Sequence, residues 1–138
     1  MNLLRAASAV EGRLVGNDVD FERVVTDSRE LSGGELFVAL KGEKFDGHEF
    51  VAQAKSSGAV AALASQELEI DLPTLVVEDT TLSLGRLAAY WRCQFNLPVV
   101  AVTGTNGKTT VREMITSILS EGGPVLSPLS LIHISEPT

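Results

Sequence analysis

The first ten positions place apolar side chains at Leu3, Leu4, Ala7 and Val10, a helical spacing closed by Glu11-Gly12. The pattern then changes to short runs. Gly12 to Gly16 and Val19 to Val25 read as strands around an Asn17-Asp18 turn, and Leu36 to Leu40, Ala59 to Leu63 and Thr74 to Val77 are further apolar runs of strand length. His48 to Lys55 reads as a helix with Phe50, Val51 and Ala54 turned inward, ending at Ser56-Ser57-Gly58. Asp79 or Thr80 caps a longer helix whose apolar positions Leu84, Leu87, Ala88, Trp91 and Phe95 keep helical spacing until Asn96-Leu97-Pro98. Trp91 is expected as a core anchor on that helix. Strand, helix and strand recur along this half, which predicts an α/β fold around a small mixed sheet.

Val99 to Val102 is a continuous apolar run, suited to a strand buried on both faces of a parallel sheet. A glycine-rich turn follows, Gly104-Thr105-Asn106-Gly107-Lys108-Thr109-Thr110, and then Val111, Met114, Ile115, Ile118 and Leu119 draw one stripe on a helix. Gly104 and Gly107 lack a Cβ, so the backbone can bring its N–H groups up to phosphate oxygens. The helix adds its unpaired N–H groups and the positive end of its dipole. Lys108 can reach the β- and γ-phosphates as a point charge, and the Thr109 hydroxyl is placed to ligate Mg²⁺. An ordinary βα turn also contains glycine, but strand, loop and helix agree here, and together they predict binding of a nucleoside triphosphate. The common form of this loop has a glycine six residues before the lysine, where this chain has Val102; its first glycine is Gly104. The loop is a shortened variant.

Composition narrows the partners. The 138 residues suit one modest domain, or a small domain and a piece of another, and 44% apolar with 21% charged residues is ordinary for a globular protein. A net charge of −7 argues against nucleic acid, so phosphate must be bound locally by the loop. Cys93 is the single cysteine, expected as a small side chain on a helix, and no Cys/His cluster offers a zinc site. No basic leader and no uncharged run of transmembrane length is present, which predicts a cytoplasmic protein without membrane insertion.

Two polar segments of the first half are candidate ligand contacts. Thr26-Asp27-Ser28-Arg29 sits at the end of a strand, where Asp and Ser are good turn formers; read functionally, Ser28 offers a hydroxyl and Arg29 a planar fork for phosphate or carboxylate. Lys41-Gly42-Glu43-Lys44-Phe45-Asp46-Gly47-His48 joins a strand to a helix, with two glycines, Lys, Asp and His in eight residues. His48 could equally be a first-turn helix residue without a ligand. A metal site from Asp46, His48 and Glu49 is disfavoured, because a third ligand has no clear geometry.

The loop Gly104 to Thr110 resembles the ATP loop of the Mur ligases, which build the peptide of bacterial peptidoglycan, and of their folylpolyglutamate synthetase relatives. Val111-Arg112-Glu113-Met114 is similar to the sequence after that loop in the members that add D-alanyl-D-alanine, as is the stretch from Val77 to Arg92. Thr26 to Arg29, Gly34 to Gly42, Phe45 to His48 and Gly58-Ala59 resemble the N-terminal domain of the tripeptide-forming and D-alanyl-D-alanine-adding members.

The resemblance implies a UDP-sugar-binding domain over residues 1–79 and the start of a central ATP-binding domain over 80–125. Thr26, Ser28, Arg29, Lys41, Gly42, Asp46 and His48 would then face the UDP-sugar. Gly104, Thr105, Asn106, Gly107, Lys108, Thr109 and Thr110 would hold ATP, with Lys108 and Thr109 acting in catalysis and Thr109 on Mg²⁺. The implied substrates are UDP-N-acetylmuramoyl-tripeptide and D-alanyl-D-alanine, joined by a monomeric enzyme through an acyl phosphate. Two alternatives stay open: a nucleotide-sugar binding module without catalysis, and the family member that adds the third amino acid. The family's carbamylated lysine, second metal carboxylate and third domain have no counterpart in this sequence, so the chain as it stands is expected not to turn over. Residues 126–138 do not continue the family pattern. Leu129 to Thr138 resembles translated read-through of a sequencing-library adapter, and His133 is given no role.

Overall fold

The computed structural model describes residues 1–127. Helix α1 (Leu3–Val10) starts where the Asn2 side chain accepts the Arg5 N–H and buries Leu3, Ala6 and Val10. It stops at Glu11, which is itself left-handed with φ 56°. Gly12 serves packing instead: a Cβ there would lie 2.9 Å from Val77 Cγ1.

Five strands follow: β1 (Arg13–Val15), β2 (Arg23–Val25), β3 (Glu35–Val38), β4 (Ala61–Ala64) and β5 (Thr74–Val76). They form one sheet in the order β1-β5-β4-β3-β2. The pairs β2–β3, β3–β4 and β4–β5 are parallel, and β1 runs antiparallel to β5. The two opening strands therefore close opposite edges of the sheet rather than forming a hairpin.

Alternation along the central strands builds two cores. Leu36 and Val38 of β3, Ala61 and Leu63 of β4, and Leu75 of β5 face α1 and helix α3 (Thr80–Cys93), joining Leu3, Val10 and Leu87. Phe37, Ala39, Ala62 and Ala64 face helix α2 (Val51–Ser56), joining Val51 and Ala54. Each fully buried Leu contributes about 1.5–3 kcal/mol, and the alanines of β4 let α2 approach the sheet closely. Glu35 is also buried; its carboxylate accepts the Ser32 hydroxyl at 2.6 Å and the Gly33 N–H at 2.8 Å, which holds its pKa below the ordinary glutamate value and ties down the turn before β3.

Two expectations are corrected by packing. Phe50 is 39% exposed, because its turn precedes α2 and only Val51 and Ala54 reach the sheet. Trp91 is 47% exposed: α3 is anchored by Leu87, while Trp91 stacks edge-on against Phe95 at 5.3 Å and borders an open groove of about 360 Å³ with Phe21, Val24 and Leu84. The chain forms two compact units, Met1–Asn96 and the residues from Leu97 on, and α3 lies in the first. Its buried Thr80, Ser83 and Leu87, and its packing on α1, explain why.

In the second unit, helix α4 (Lys108–Ser120) forms as expected. Val99 to Val102 does not form a strand. A strand exists only through its pairing, and among the described residues this unit has no other strand.

Candidate functional site

The carboxyl ends of β2 and β3 open into a cavity of about 550 Å³, lined by Thr26, Asp27, Ser28, Arg29, Phe37, Phe45, Gly47, Phe50 and Gln53. In open α/β sheets this is the end where ligands bind, since loops leaving parallel strands diverge there. Three of the residues singled out in the sequence, Thr26, Ser28 and Arg29, meet on one wall.

That wall is a 3₁₀ turn, Ser28–Glu30, capped by Asp27. Asp27 Oδ1 accepts both the Arg29 backbone N–H and Nε at 2.9 Å, and Oδ2 accepts Arg29 Nη2 at 2.6 Å. The Arg29 side-chain hydrogen bonds pull the Asp27 carboxyl down to about 2, and Asp27 in return raises the guanidinium. The fork is thus held at the cavity rim. Ser28 is buried at the base of the turn.

The opposite wall follows β3. Lys41 and Asp46 pair as an isolated bridge, and the Gly42 N–H donates to the Phe45 carbonyl at 2.9 Å, so residues 41 to 46 fold back on themselves. This brings Phe45 and Gly47 to the cavity and leaves Lys41 and Gly42 outside its lining. Gly47 lies flat on the end of β3: its N–H donates to the Leu40 carbonyl at 2.7 Å, and a Cβ would meet the same oxygen at 2.7 Å.

Asp46 caps the 3₁₀ turn Gly47–Phe50, accepting the His48 backbone N–H at 3.0 Å and approaching Nδ1 at 2.6 Å. The backbone hydrogen bond first, then the ring, keeps the Asp46 carboxyl below its ordinary value. His48 is nearly buried and lies outside the cavity lining. Phe37, Phe45, Phe50 and Gln53 line the cavity but were not among the ligand contacts expected from the sequence; two phenylalanines bracketing Asp46-Gly47-His48 were the available signal. Among the described residues no cluster of His, Cys, Asp and Glu is arranged to hold a metal.

The glycine-rich loop belongs to the second unit. Gly104 has φ 146° and Gly107 φ 75°, both in the region glycine favours, and Gly107 caps α4 without any side-chain hydrogen bond. The first N–H groups of α4, from Lys108 to Thr110, thus meet no capping side chain, and Thr109 and Thr110 are exposed. That is the arrangement an anion needs.

Comparison with known proteins decides the family. Residues 20–106 match the Mur ligase family, catalytic domain, and residues 102–134 the Mur ligase middle domain. The chain belongs to the Mur ligase family. It is 50% identical over 126 residues to the UDP-N-acetylmuramoyl-tripeptide–D-alanyl-D-alanine ligase of Escherichia coli (strain K12), covering 91% of this chain and 28% of that one. A crystal structure of MurF from Acinetobacter baumannii superposes with a TM-score of 0.77 at 41% identity, over 86% of this chain and 27% of that one. The MurF ligase of Thermotoga maritima, solved with ADP, gives 0.64 at 38% identity over 72% and 23%. The chain thus spans little more than a quarter of the Mur ligases it matches. The middle-domain match runs into the tail expected to be foreign, most of which lies outside the described residues, as does His133. No described helix is long and apolar enough to cross a membrane.

Proposed function

We propose that this chain is the N-terminal part of an ATP-dependent ligase that joins D-alanyl-D-alanine to UDP-N-acetylmuramoyl-tripeptide. The carrying observation is the 50% identity to the Escherichia coli ligase across 126 residues that include both candidate sites. In this reading the first unit holds the UDP-sugar, with Arg29 offering the diphosphate the guanidinium N–H groups that Asp27 does not engage and the phenylalanines enclosing the flat parts of the ligand. The loop from Gly104 to Thr110 holds ATP. Its backbone N–H groups and Lys108 neutralise phosphate charge, and Thr109 is the residue suited to Mg²⁺, which would screen the transferring phosphoryl group. The γ-phosphoryl group passes to the tripeptide's terminal carboxylate, and the amine of D-alanyl-D-alanine displaces phosphate from the acyl phosphate. No protein nucleophile is required.

The reading divides the chain as the sequence does, with a nucleotide-sugar domain followed by the opening of an ATP-binding domain, in a monomer of the cytoplasm. Completing the reaction falls to the parts of the relatives that this chain does not span. Isothermal titration of the chain tests it: UDP-N-acetylmuramoyl-tripeptide should bind, and ATP with Mg²⁺ should bind about 10–100-fold more weakly to Lys108→Ala, the loss of one charge-assisted contact, with the sugar-nucleotide titration unchanged. Failure to bind UDP-N-acetylmuramoyl peptides of any length would reject the reading.

A further inference from the structure

Both nitrogens of the His48 ring are engaged inside the protein. The Ser65 backbone N–H donates to Nε2 at 2.9 Å, with the Ser65 hydroxyl 3.1 Å away. Nε2 is therefore the acceptor, and the ring proton sits on Nδ1, donated to Asp46 Oδ1 at 2.6 Å. Ser65 is the first residue after β4, and Asp46 and His48 flank Gly47, whose N–H donates to the carbonyl of Leu40, two residues beyond β3. The turn that supplies Phe45, Gly47 and Phe50 to the cavity is thus fastened to the segments leaving two neighbouring strands, by Gly47 to Leu40 after β3 and by His48 to Ser65 after β4.

We propose that His48 is a positioning residue, a latch that ties the phenylalanine-bearing wall of the cavity to the end of β4 and so sets the cavity's fit to its ligand. The inference rests on the sugar-nucleotide reading of that cavity. A buried ring with one donor and one acceptor already matched has nothing left to offer a ligand, yet the wall it fixes is the one the ligand would press against. Without an acceptor at the Nε2 position the Ser65 N–H would be left unpaired, and the fastening to β4 would open. The charged groups facing the ring are Asp46 and, beside it, Lys41, whose charge helps keep Asp46 ionised; Ser65 contributes none.

The test is calorimetric titration of the full chain with UDP-N-acetylmuramoyl-tripeptide, whose diphosphate does not titrate near neutrality. His48→Gln can carry an acceptor to the Nε2 position, and His48→Asn keeps a donor near Nδ1 but cannot reach Ser65. We expect His48→Asn to weaken binding about tenfold or more and His48→Gln to stay within about threefold of the parent, with all three chains unfolding cooperatively. Equal binding by all three, or equal losses in both variants, would overturn the latch. A parent that binds no tripeptide nucleotide would instead overturn the reading of the cavity, and the latch's function with it.

Discussion

The two units of this chain form their secondary structure on different terms. In the first, four parallel strands and one antiparallel strand are covered on both faces, and Leu36, Leu63 and Leu75 are fully shielded from solvent. In the second, α4 is 13 residues long and buries none of them, and Ile118 is 68% exposed. A helix of that length satisfies its own backbone but is marginal without tertiary support. A strand cannot do even that. The same apolar pattern that gave β4 its place between β3 and β5 gives Val99 to Val102 no strand partner among the described residues, and Val99 stays 69% exposed. Pattern proposes an element; pairing decides it.

Truncating the equivalent side chain on each side of the divide breaks this comparison most directly. Leu63→Ala should cost about 2–5 kcal/mol by leaving a cavity in a core that cannot collapse. Ile118→Ala should stay within about 0.5 kcal/mol, since the side chain lies in water. Thermal unfolding of both variants of the chain reads the two values. Amide exchange gives the same contrast without mutation, with slow amides in β3 and β4 and fast ones in α4. Uniform protection as far as Ser120 would show that α4 has cover the comparison denies it.

Glycine sharpens the comparison at a smaller scale. In the first unit a Cβ on Gly47 would strike Leu40 O at 2.7 Å and Leu40 N at 2.8 Å, backbone atoms that cannot swing aside. Gly47→Ala should therefore cost about 1–3 kcal/mol in overpacking and widen the cavity wall. In the second unit a Cβ on Gly107 would meet nothing within 4 Å, so Gly107→Ala should cost only the left-handed backbone, about 1 kcal/mol. Melting of the two variants reads the difference. A larger effect at Gly107 would mean that the loop is crowded.

The sequence displayed most of what local periodicity encodes. The helices at Leu3–Val10, Thr80–Cys93 and Lys108–Ser120 and the apolar runs behind β3, β4 and β5 were all legible, because side-chain spacing and capping residues carry them. What escaped was non-local. Nothing near Arg13 tells it to pair with β5 across sixty residues of chain, and nothing near Trp91 says that Leu87 will take the buried place. The candidate site divides in the same way. Thr26, Ser28 and Arg29 were legible because they follow a strand end. The internal engagement of His48 was not, because its partner Ser65 lies 17 residues further on. Lys41 and Gly42 belong to the same polar loop as Phe45 and Gly47, yet they do not line the cavity.

The smallest effect concerns the pair at the cavity rim. The Arg29 side chain first, and its backbone N–H second, lower the Asp27 pKa from 3.8 to about 2. A depressed carboxylate stabilises the folded chain above the unfolded value and loses that contribution as the pH falls through the folded one, so the window runs from about 4 down to about 2. Both groups are open to solvent, so melting should barely register the loss. The midpoint itself is the quantity to follow. A carbon NMR titration of the Asp27 carboxyl should centre near 2 in the parent, and Arg29→Ala should return it toward the ordinary aspartate value. If the midpoint did not move, the Arg29 fork would not be held by Asp27 in solution, and the rim would present a free guanidinium rather than one aimed in advance.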